Sequence, residues 1–270
     1  MTNTHAGPIS ADDLAVALPA IAPYLRPATL LHPEAADAPD PYRSRIGGPA
    51  LWPAGEPWPH CTARHLDDGY EYEEMPAGDT GIALLPVAQI RAEDAPHLPW
   101  PDGADLLQLL WCPNDHDDIQ GGRFYYGPAV ELRWRRIADL APLTPPPPRR
   151  TEDDYYLPRP CVLHPEQIQD LPDRDELPAE LHRAAEEFAN RHDTEYWDLA
   201  PVDGWKAGGW PSWRLTDLVP VDCGACGTRM RHLFTVLSGD APGVSVGRHG
   251  RLNIFRCPQD HNHPVGLDLQ

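Results

Sequence analysis

The stretch "CGACG", Cys223 to Gly227, places two thiols at C-x-x-C spacing, with Gly224 and Gly227 free to make the tight turn that aims backbone amides at sulfur. A third thiol, Cys257, follows the apolar run "RLNIFR" and opens the pentapeptide "CPQDH", which ends in His261. Cys223, Cys226, Cys257 and His261 therefore read as a closed Cys3His site for a structural zinc ion. Asp260 and His263 are rivals for the fourth position, because a terminal loop absorbs a small change of register. A redox role for Cys223 and Cys226 lacks the βαβ surroundings it would need, and free thiols beside a solvated histidine are the plain alternative.

The pentapeptide has a near-copy, "CPNDH", at Cys112 to His116. Cys61 and His65, in "CTARH", stand where the knuckle stands in the other half, but the second cysteine and the knuckle glycines are missing. The expected outcome is a degenerate copy in which Cys61 and Cys112 are ordinary half-buried residues; whether Cys61, His65, Cys112 and His116 form a second site is left open. With three ligands and a water such a site could hydrolyse, with Asp115, Asp117 or Asp118 as general acid. No H-E-x-x-H, phosphate-cradling loop or dinucleotide fingerprint accompanies it, and no catalytic residue is assigned. Cys161 has no partner in sequence and reads as a packing thiol.

These side chains need strands to carry them. "LLQLLW" runs into Cys112 and "RLNIFR" into Cys257; "IALLPVAQI" and "RHLFTVLS" precede them; "RIGGPALW" and "KAGGWPSW" lie further upstream, each with a cation, a Gly-Gly pair and a tryptophan. The same blocks in the same order imply an internal duplication. The expected fold is α+β, mostly β, with internally duplicated mixed sheets and a few helices. Its parts are an N-terminal helical extension over 1–39, a first repeat over 40–143, a Pro-rich linker over 144–150 and a second repeat over 151–270. "SADDLAVAL" has a capping-box start at Ser10, and "PAELHRAAEEFANRH" places Leu181, Ala184, Ala185 and Phe188 on one helical face. Most of the nine tryptophans should be core, although those beside the Gly-Gly pairs could border a groove for an extended peptide.

Composition narrows the partners. Twenty-two basic against 41 acidic side chains give a net charge of −19, which repels phosphate backbones and anionic lipid surfaces and leaves proteins, peptides and cations. The N-terminus has no basic start, and prolines interrupt its apolar part, so neither a secretion signal nor a membrane span is expected. A cytoplasmic location follows as the expectation, and there a C-x-x-C pair is more often a metal knuckle than a disulfide.

The blocks "GGPALWPAGEPWPHC", "LPVAQI", "LLQLLWCPNDH", "GGWPSW", "CGACG" and "FRCP" resemble the YwqG-like family, domain of unknown function 1963, over nearly the whole chain. That resemblance implies a mostly β fold and no settled activity. The expected function is thus a non-catalytic, zinc-containing binding protein for a protein or peptide. Its alternatives are a metal-dependent hydrolase using the first repeat, or an immunity-like protein that caps a basic toxin.

Overall fold

The structure is a computed structural model and describes residues 9–66, 72–73, 81–117, 125–143 and 154–270. The Pro-rich linker expected at 144–150, and Asp118, lie outside the described residues. The class is α+β and mostly β: an eight-stranded and a six-stranded sheet, two small two-stranded sheets and a few short helices. Every described strand pairing is antiparallel. The expected helices form at Ala11–Ala17, with Ser10 and Asp13 closing a capping box, and at Ala179–Asn190; they pack on Ile21, Leu171 and Tyr196.

The two large sheets carry the matched blocks in matched places. In the larger one, Arg45–Ile46 pairs with Leu85–Arg91, which pairs with Leu106–Asp117, which pairs with Tyr126–Arg135. In the smaller one, Lys206–Gly208, Arg231–Leu237, Arg251–Arg256 and Gly266–Leu269 follow the same order. Registers agree as well as order. Arg45 faces Gln89 where Lys206 faces Thr235, and each middle strand leaves one residue unpaired, Val87 between Pro86 and Ala88, Leu233 between His232 and Phe234. Both bulged residues are fully buried in the core that the two sheets share.

Residues assigned by sequence to an N-terminal extension do more than cover the core. Arg26–Leu30 inserts between Glu166–Asp170 and Lys206–Gly208, within the sheet of the second half. Reciprocally, Cys161–Val162 from the second half inserts between Glu34–Ala35 and Arg45–Ile46, within the sheet of the first. Both segments run into the same tetrapeptide, "LHPE", at Leu31–Glu34 and Leu163–Glu166. His32 Nε2 lies 2.8 Å from Glu166, and His164 Nε2 lies 2.9 Å from Glu34. Such an i-to-j, j-to-i contact is what a two-fold axis produces. This fifth matched block was readable in the sequence and was missed because the first repeat was begun at residue 40, after Leu31–Glu34, while its counterpart lay inside the second repeat.

The exchange explains the Gly-Gly pairs. Gly47 and Gly208 have φ of +58° and +74°; a Cβ on Gly47 would sit 2.6 Å from the Pro158 oxygen, and one on Gly208 would sit 2.5 Å from His97 Nε2 and 3.1 Å from the Pro27 oxygen. The incoming backbone and, at Gly208, the His97 ring therefore fill the space beside these glycines, and Trp52, Trp205, Trp210 and Trp213 are buried. Gly55 separates two effects, because its φ is +82° with nothing within 4 Å of the missing Cβ. Gly55→Ala should cost about 1 kcal/mol from backbone strain alone, and Gly47→Ala at least about 2 kcal/mol more from the clash. Equal shifts of the urea midpoint for the two variants would contradict this packing.

Candidate metal centre

Side chains alternate along the cysteine-bearing strands. Leu107, Leu109 and Trp111 face the shared core, while Leu110 and Cys112 face the opposite side, where they join Trp52 and Leu84. Leu252 and Ile254 likewise face the shared core, and Phe255 and Cys257 join Trp213, Val221, Cys223 and Met230. Each candidate site thus sits in a small satellite cluster that lacks the bulk of the main core. The tryptophan after each Gly-Gly pair packs into the cluster of its own half.

Cys223 and Cys226 lie on a turn closed by Cys223 N–H to Thr228 O at 2.9 Å and Gly227 N–H to Cys223 O at 2.7 Å. Asp222 and Arg229 brace it with an ion pair at 2.7 Å. Cys257 ends the Arg251–Arg256 strand, and the chain then turns so that Cys223, Cys226, Cys257 and His263 converge, one donor atom from each lying within 4.8 Å of the others. Nδ1 of His263 is 3.5 Å from Cys223 Sγ and 3.4 Å from Cys257 Sγ, and Cys226 Sγ is 3.5 Å from Cys257 Sγ. A zinc tetrahedron, with bonds of about 2.3 Å to sulfur and 2.0–2.1 Å to nitrogen, has S–N edges of about 3.6 Å and S–S edges of about 3.8 Å. The three separations given are close to the edges of such a figure, and no pair of donors is more than 4.8 Å apart.

The fourth member is His263 where sequence placed His261. His261 Nδ1 accepts a hydrogen bond from Arg256 at 2.9 Å, and its ring meets Trp134 edge-on at 5.6 Å, so the side chain is held outside the group. Asp260, the other rival, stays outside too: its Oδ1 accepts the Asn262 N–H at 2.8 Å, and its Oδ2 is 3.9 Å from Nε2 of His263. That is the side on which a carboxylate outside the donor set orients a ligating histidine.

In the first half, Cys61, His65, Cys112 and His116 also converge within 4.8 Å, contrary to the expected degeneracy. Cys61 Sγ is 3.5 Å from His116 Nε2, Cys112 Sγ is 3.4 Å from His65 Nε2, and the imidazoles stack at 4.9 Å. Asp115, one of the candidate general acids, accepts a hydrogen bond from the Tyr156 hydroxyl at 2.5 Å.

Electrostatics separates these five cysteines from the sixth. Each has the backbone amide of the residue two positions on turned toward its sulfur, from Ala63, Asn114, Ala225, Thr228 and Gln259. Such amides favour thiolate over thiol. Cys226 is lowered to about 6, chiefly by the Thr228 hydroxyl and then its amide. Burial pushes Cys257 up, but the Gln259 amide and His263 outweigh it, while burial leaves Cys223 raised. Cys61 is drawn down to about 4, first by the hydrogen bond it shares with Cys112, whose own thiol is pushed up by the same contact. Cys161, by contrast, is raised by burial and donates its proton to the Arg159 oxygen at 3.5 Å. It is a buried thiol with no donor set around it among the described residues.

Two Cys/His groups in this chain can therefore hold a metal ion. No helix among the described residues is long and apolar enough to cross a membrane. Searches against protein-family models and against curated proteins found no match to this chain.

Proposed function

We propose that this protein is a non-catalytic binding protein of the YwqG-like type, built from two copies of one unit and held at its C-terminal end by a structural zinc ion on Cys223, Cys226, Cys257 and His263. The observation that carries the metal reading is the convergence of the Cys3His set within 4.8 Å, three of its donor separations being 3.4–3.5 Å, at the junction of a knuckle and a strand end. Thiolate and imidazole in a tetrahedral set suit zinc, and four protein donors leave no position for a substrate water. Duplication is supported by the shared strand order, the matched bulges and the reciprocal "LHPE" contacts. A cytoplasmic setting fits six free cysteines.

The partner reading is a protein or peptide with basic character, which the charge of −19 would attract, in preference to nucleic acid. Metal analysis of protein purified without chelator should find zinc, and Cys223→Ser/Cys257→Ser should lose one equivalent; no such loss would remove the C-terminal zinc. Duplex DNA should not bind measurably at physiological salt. A submicromolar, salt-sensitive affinity for DNA would overturn the partner assignment.

A further inference from the structure

The first half lacks a knuckle, yet it assembles four metal-competent donors from three separate strands. Cys61 lies on His60–Cys61, which pairs with Ile82–Ala83; His65 lies on His65–Leu66, which pairs at Asp115; Cys112 and His116 lie on the long strand Leu106–Asp117. Cys112 and His116 are four residues apart on that strand, and both converge on the group. Between Trp111 and Asp115 the pairing with Tyr126–Arg135 is irregular, and such irregularities re-aim side chains. We infer that Cys61, His65, Cys112 and His116 form a second, closed Cys2His2 site for zinc, distinct from the C-terminal one and independent of it.

Burial is the first argument. His65 and His116 are 2% and 1% exposed and Cys112 is fully buried, among Trp52, Leu84 and Leu110. Without an ion, these groups meet one another through weak S···N and thiol–thiol contacts, with the amides of Ala63 and Asn114 turned to the two sulfurs, and His116 Nδ1 has no hydrogen-bond partner among the described residues. An apolar set of the same volume would pack there at less cost, so the arrangement is unfavourable unless something rewards it. A divalent ion does so, because it takes both thiolates and both neutral imidazoles as ligands. Geometry is the second argument. Each sulfur stands 3.4–3.5 Å from a histidine nitrogen, close to the roughly 3.6 Å S–N edge of a zinc tetrahedron.

Four protein donors make this a staple in place of a reaction centre. The ion would tie the short strands around Cys61 and His65 to the long strand. The sequence signal was present in the C-x3-H spacing of "CTARH" and "CPNDH", but the absent glycines pointed away from it.

The test uses the full chain and two double variants, with metal content and cobalt(II) spectra as readouts. Wild type should hold two equivalents of zinc, and Cys223→Ser/Cys257→Ser and Cys112→Ser/His116→Ala one each. Cobalt in the first variant should give tetrahedral visible bands with thiolate charge transfer weaker than in the second, since it has two sulfur ligands against three. Wild type with one equivalent that Cys112→Ser/His116→Ala retains would overturn the inference. So would a Cys61–Cys112 disulfide in freshly purified protein, seen by mass as the loss of two hydrogens. Metal absent from Cys112→Ser/His116→Ala but present in Cys223→Ser/Cys257→Ser would remove the C-terminal site and leave this one standing. Should Cys112→Ser/His116→Ala fail to fold, the metal count and cobalt spectrum of Cys223→Ser/Cys257→Ser still decide.

Discussion

Cys226→Ser should lower the melting temperature on the order of 10 °C and release the last part of the chain before the rest unfolds. The size follows from what the site holds together. Cys223, Cys257 and His263 come from the two ends of the C-terminal sheet's connections, and the surrounding cluster of Trp213, Val221, Met230 and Phe255 is small. Loss of the proposed ion would leave that cluster to hold the knuckle and the 258–265 turn alone. Hydrogen exchange should therefore accelerate at least roughly tenfold in 222–229 and 258–265 while the strand Leu85–Arg91 keeps its protection. Cys226 is the right residue to change, because it is the exposed member of the set and its loss leaves no core cavity. Cys161→Ser is the control: its buried thiol only donates to a carbonyl, so zinc content should not change. Uniform loss of protection across both sheets, or unchanged protection everywhere, would argue against a local staple.

How far the chain could be read in advance depended on whether the deciding contact was local. The strands that lead into Cys112 and Cys257 announce themselves through the apolar-rich hexapeptides "LLQLLW" and "RLNIFR", and the knuckle through spacing alone. The exchange of Arg26–Leu30 and Cys161–Val162 is non-local: Thr29 pairs with Ala207 and Cys161 with Ile46, and nothing in either segment names its partner. Only the paired "LHPE" hinted at it. The fourth member of the C-terminal donor group was placed at His261 for a related reason. His261 matches His116 in the pentapeptide, but the residue before the cysteine is Trp111 in one half and Arg256 in the other. The Arg256 guanidinium gives His261 a partner outside the site, and the turn at Asp260 brings His263 in.

Asp170→Ala should be among the most damaging single changes in the chain, at about 3–5 kcal/mol. Asp170 and Lys206 are 0% and 1% exposed, and the carboxylate meets Nζ at 2.7 Å. The same carboxylate accepts the backbone N–H of Trp210 at 2.8 Å and of Val202 at 2.9 Å, while Nζ also donates to the Val202 oxygen at 2.8 Å. Removing the acid strands one ammonium and two amides away from water. Lys206→Met is milder, because the carboxylate keeps both amides, and the double variant Asp170→Ala/Lys206→Met should recover part of the loss. A cycle of urea denaturations should therefore show coupling well above the few tenths of a kcal/mol expected of independent sites; additivity would mean that the pair is not a unit. The matching cation of the first half behaves differently. Arg45, 2% exposed, donates to the carbonyls of Gly47 and Pro49, and burial lowers its pKa to about 10. The cation before each Gly-Gly pair thus answers local needs: carbonyls turned inward by left-handed glycines in one half, and in the other a buried acid on the strand beside the exchanged segment. Arg45→Met should accordingly cost less than Asp170→Ala, since it leaves neutral carbonyls unpaired and no charge.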